Sequence, residues 1–82
     1  MDARKMIHNE IELLTQAIAE TPGDGELYME RGRLYYRRGE FGNAANDFIS
    51  ASELDPRNAE AAQYLDIIRE IMEFRHADLL NP

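Results

Sequence analysis

Residues 25–58 read GELYMERGRLYYRRGEFGNAANDFISASELDPRN, and this stretch decides the fold. It holds two helical segments. The first runs from about Gly25 to Arg38, with Asp24 placed to cap it and Glu26 near the positive end of the helix dipole. Arg37 and Arg38 suit the negative end, and Gly39 supplies a left-handed stop. The second runs from about Phe41 or Gly42 to Leu54. Asp55-Pro56 closes it, because the residue before a proline is pushed out of the α region. Gly32 and Ala44 carry little or no side chain, so the two helices can approach closely there. Tyr28, Tyr35 and Phe48 are bulky enough to fill the space on either side. These residues read as core, not as a site.

Working outward, a helix is expected over residues 3–20. Its apolar positions Ala3, Ile7, Ile11, Leu14 and Ile18 recur every three to four residues on one helical face. Asp2 can cap its start, and Thr21-Pro22-Gly23 ends it. On the other side a helix is expected over residues 59–76, capped by Asn58 with Glu60 just inside. Residues 77–82, ending in Asn81-Pro82, read as a loose tail. No stretch alternates with period two for long enough to form a strand. The expected architecture is all-α, one domain of four antiparallel helices stacked as helical hairpins.

Shifting the chain against itself so that Pro22 falls on Pro56 also places Asp24 on Asn58, Glu26 on Glu60, Leu14 on Phe48 and Ala17 on Ala51. Turn, cap and core positions recur together at this one offset, as they do in stacked repeat units. With Tyr28, Gly32, Tyr35, Ala44, Phe48, Ala51 and Pro56 at their offsets, residues 25–58 resemble one full tetratricopeptide repeat (TPR). The resemblance extends to a half repeat on each side, covering about Ile7 to Met72. One position departs from the family pattern: Arg31 stands where leucine is usual. Its stem can pack while its charge snorkels to water, or that edge of the helix is uncovered.

The resemblance implies a concave groove lined by the first helix of each hairpin. Its groove positions fall on Met29, Arg33, Tyr36 and Arg37, and on Gln63, Ile67, Glu70 and Ile71. Arg33 and Arg37 are expected to pair with carboxylates of a bound peptide, and Met29 and Tyr36 to cover an apolar side chain. Some of the arginine charge must also answer Glu26, Glu30 and Glu40 nearby. Family members that clamp a partner's terminal carboxylate use groove lysines and asparagines, which this helix lacks, so that clamp is not assigned. Residues 59–76 add a second apolar strip, Ile67, Ile71 and Phe74, that needs cover. The tail through Leu79 and Leu80, a second copy of the chain, or a partner could supply it. With fewer than three repeats, a homodimer is a real alternative to a peptide ligand.

Composition narrows the functional classes. The 82 residues contain no cysteine, so neither a disulfide nor a thiolate metal site reinforces a core that is small for a single domain. The net charge of −7 opposes non-specific binding to nucleic acid and to anionic membranes. No apolar run is long enough to span a bilayer or form a secretory signal, so a cytoplasmic protein is expected. His8 and His76 lie in opposite terminal helices without partners at metal-ligand spacing. Gly23-Asp24-Gly25 lacks the lysine and hydroxyl residue of a phosphate loop, and Ser50 and Ser52 have no histidine nearby in sequence. No catalytic set, cofactor or metal is expected. The expected function is protein–protein interaction, with Met29, Arg33, Tyr36, Arg37, Ile67 and Ile71 as the groove.

Overall fold

Side-chain caps start three of the four helices. The Asp2 carboxylate accepts from the Arg4 N–H at 3.1 Å and opens α1 (Ala3–Glu20). Asp24 does the same for the Glu26 N–H at 3.1 Å and opens α2 (Gly25–Arg37). The Asn58 side-chain oxygen accepts from the Ala61 N–H at 3.0 Å, opening α4 (Ala59–Leu80). Each satisfies a backbone donor that the helix itself leaves unpaired. The remaining helix, α3 (Phe41–Leu54), follows a tight turn instead. There Gly39 adopts φ 77°, and its N–H donates to the Tyr36 carbonyl at 3.0 Å while the Glu40 N–H donates to the Tyr35 carbonyl at 2.9 Å. This pair of bonds closes α2, and the positive φ is why glycine stands there.

The structure, a computed structural model, describes residues 2–80, with side-chain surroundings for residues 2–75. The fold is all-α, four helices packed in chain order, α1 on α2, α2 on α3 and α3 on α4. One expectation is corrected. The backbone of Ala77–Leu80 is not a loose tail but continues α4, and only Asn81 and Pro82 of the expected tail lie outside the described residues. Alanine and leucine are strong helix formers, and no glycine or proline stands between Pro56 and Pro82.

The recurrence seen in the sequence is also geometric. After α1, the Thr21 N–H donates to Ala17 at 2.9 Å and the Asp24 N–H to Thr21 at 3.2 Å. After α3, the Asp55 N–H donates to Ala51 at 2.9 Å and the Asn58 N–H to Asp55 at 3.1 Å. The same turn thus joins two helices at each place, with Pro22 and Pro56 at its second position.

Met29, Ala44, Phe48, Ala51, Ala61 and Ile68 form the buried core. A Cβ on Gly32 would come within 2.8 Å of the Phe48 ring, so the absent side chain is what lets α2 settle on α3. The opposing group is Phe48, not the small Ala44. Phe48 also stacks on Tyr64 with ring centroids 4.4 Å apart and planes 5° from parallel, tying α4 to the hairpin. Tyr28 donates its hydroxyl to the Pro22 carbonyl at 3.1 Å, fixing α2 to the preceding turn.

Arg31 neither snorkels to water nor sits at an open edge. Its Nε and Nη2 donate to both carboxylate oxygens of Asp47 at 2.9 and 2.7 Å, and its Nη1 donates to the Thr15 hydroxyl at 3.1 Å. Asp47, 3 % exposed, is the buried charged residue of the core, and its hydrogen bond raises the Arg31 pKa above its ordinary value. One guanidinium therefore joins α1, α2 and α3. Among the described residues no buried side-chain polar atom lacks a partner, as a folded core requires.

Candidate functional site

Arg33 links α2 to α4 and also lines a recess with Glu10 and Leu14 of α1. Its Nη2 donates to a Glu60 carboxylate oxygen at 2.6 Å and its Nε to the other at 3.3 Å. A weaker pair reaches Glu26 at 3.4 Å. The helix cap at Asn58 sets Glu60 in the first turn of α4, which brings its carboxylate across to α2. The Arg33 hydrogen bond holds the Glu60 carboxyl below the usual carboxylate range and raises the Arg33 pKa in return. Arg33 is thus paired with two carboxylates of its own chain, in the place expected for an acidic peptide.

The other expected groove residues separate. Met29 is 1 % exposed and belongs to the core, so it lines no groove. It shares the Arg33 stripe by sequence spacing, but α3 also packs against α2 and covers that edge. Tyr36 is half-buried, its ring set edge-on against Phe41 at 5.3 Å and Tyr64 at 5.1 Å. It forms the floor where α2, α3 and α4 meet. Arg37 is exposed, but it lines recesses with α1 residues such as Arg4, His8, Glu10 and Leu14. It lies on the α1 side of α2, away from Ile67 and Ile71.

Ile67 and Ile71 do come together. With Glu70, Phe74 and Arg75 they line a recess of about 460 Å³ on α4. It adjoins a smaller one formed by Glu60, Gln63, Tyr64 and Ile67. Ile67 is 43 % exposed and Phe74 73 % exposed, both large for apolar side chains. Arg75 borders the recess as a cation, its guanidinium 5.1 Å from the centre of the Phe41 ring. The strip Ile67–Ile71–Phe74 continues the line of Glu60, which reaches α2, so it opens toward the groove.

Sequence reasoning missed Asp47 and Arg75. Asp47 gave no local signal, being one acidic residue among many in a helix. Arg75 falls one helical turn past Ile71, and its aromatic partner is Phe41, at the start of the preceding helix. Compared with models of known protein families and with curated proteins, the chain matches none. Among the described residues, no helix is long and apolar enough to cross a membrane, and no three acidic or histidine side chains are grouped to hold a metal ion.

Proposed function

We propose that the chain is a small TPR-like interaction module, a cytoplasmic adaptor with no catalytic role that binds a peptide segment of another protein between α2 and α4. The observation that carries this reading is the uncovered apolar strip Ile67–Ile71–Phe74 opening toward α2, in a fold whose turn at Pro22 recurs at Pro56. A groove of this kind recognises an extended or helical segment through apolar anchors set along one stripe. A homodimer is the second reading, favoured by the same exposed strip, and light scattering at several concentrations separates the two.

The absence of cysteine makes a direct test simple. Ile71→Cys and Glu73→Cys each place one thiol-directed crosslinker, the first in the strip and the second on the exposed opposite side of α4. Partner proteins are expected to crosslink from position 71 and not from position 73. Equal yields from both positions would sink the groove as the binding surface.

A further inference from the structure

The chain's own repeat identifies what the strip is not. Residues of α2 that pack on α3 include Met29, Gly32 and Tyr36. Advanced by one repeat, the offset that carries Pro22 to Pro56, they become Gln63, Asp66 and Glu70 on α4. The side of α4 on which a further helix of the stack would sit is therefore polar and exposed, as a terminal helix requires. Arg33 and Arg37, by contrast, become Ile67 and Ile71. Polarity is exchanged position by position: where α2 has Met29, Gly32 and Tyr36 beside Arg33 and Arg37, α4 has Gln63, Asp66 and Glu70 beside Ile67 and Ile71. The exposed strip is not an unfinished stacking face waiting for the next hairpin.

Two other occupants are disfavoured by observations on the molecule itself. The backbone of α4 remains helical through Leu80, so the backbone from Arg75 to Leu80 runs along the helix axis and does not return over the strip. A second copy would bring a net charge of −7 against another −7.

The charge about the strip is negative on balance, with Glu26, Glu60 and Glu70 set against Arg33 and Arg75, the last resting its guanidinium on the Phe41 ring. Glu70 remains in the recess without an ion-pair partner among the described residues. From Ile67 to Phe74 the strip covers two turns of helix, the reach of anchors at i, i+3 or i+4, and i+7 on a docked helix. We infer that the strip takes an amphipathic helix of another protein whose apolar stripe is bordered by lysine or arginine. This rests on the groove reading and adds the partner's charge, opposite to the acidic segment that Arg33 and Arg37 suggest from sequence.

The probe is a displayed library of random 16-residue peptides, selected on the full chain at low salt, with the Ile67→Lys/Ile71→Lys variant as the control. Circular dichroism first establishes that the variant keeps its helix content. Selected peptides are expected to carry apolar residues at helical spacing with an excess of Lys and Arg. Their retention should fall at least about tenfold on the variant and weaken with salt. Glu70→Lys should reduce retention while leaving the apolar preference unchanged. An acidic selected pool that still depends on Ile67 and Ile71 would overturn the charge assignment and leave the groove reading standing. No selection from a chain of twice the monomer mass, falling to one in the variant, would assign the strip to a second copy. No selection from a monomer would refute both readings.

Discussion

The two helices that stand one repeat apart, α2 and α4, begin alike and end differently. Both follow the same turn, both are capped by an Asx side chain, and both pack on the helix before them through a buried aliphatic residue, Leu34 in α2 and Ile68 in α4. Among the described residues, α2 but not α4 is also covered by a following helix. There the sequence places Gly32 under Phe48 and Arg31 on Asp47, whereas α4 presents Asp66 and Leu65 at the corresponding positions. The difference shows how one repeat pattern yields a stacking helix and a terminal one. The shared face keeps its apolar residues, and the face without a neighbour is rewritten.

The largest test of this comparison is the ion pair that only the covered helix has. Asp47→Leu strands the Arg31 guanidinium and is expected to destabilise the fold by about 3 kcal/mol, read from urea unfolding. Arg31→Leu combined with Asp47→Leu recreates the residues found at Leu65 and Leu13, their counterparts one repeat away, and should recover most of that loss. A double variant as unstable as the single one would mean that the carboxylate, not the pair, is needed there.

Next in size is the contact at Gly32. Gly32→Val pushes a branched side chain into Phe48 and should cost about 1–3 kcal/mol. Asp66→Val, at the matching position of α4, should stay within about 0.5 kcal/mol because no helix faces it. Similar losses at the two sites would show that α4 is covered after all. Below these come the caps. Asp24→Ala and Asn58→Ala should each lower stability by about 1 kcal/mol, and a loss at only one of them would break the equivalence of the two turns.

The smallest expected effect is electrostatic and concerns the link between the two helices. Glu60 has its pKa lowered in the folded state by Arg33. Its contribution is therefore complete above the ordinary carboxylate range and is lost as pH falls through the lowered folded value. Both groups are substantially solvent-accessible, so the loss should be small and should shrink with added salt. Thermal unfolding of the protein and of Glu60→Gln, compared from neutral to acidic pH, should converge at the acid end. A constant difference across that range would mean that Glu60 acts through packing and not charge.

Much of the fold is legible in the chain because it is local. The three caps, the Gly39 stop and the two Pro-containing turns each follow from residues within a few positions of one another. The candidate site is half legible. Ile67, Ile71 and Phe74 announce themselves, since a 22-residue helix with apolar residues around most of its circumference has more apolar surface than one neighbour can cover. The α2 half misleads, because residues three and four apart share a stripe whether that stripe is buried or exposed. Met29 and Arg33 differ by one helical turn in sequence, and one lies in the core while the other bridges to α4.

The sequence by itself determined four helices, their ends but for the last, and the recurrence of one turn and cap, all set by backbone geometry and short-range hydrogen bonds. The tertiary structure alone decided which side of each helix is covered and which charges meet. Arg31 and Asp47 are 16 residues apart, and Arg33 and Glu60 are 27 apart. Such pairs come within hydrogen-bond distance only after the helices have docked. What turns an arginine from a ligand for a partner into an internal clasp is thus the packing of the stack, which no local reading of the chain contains.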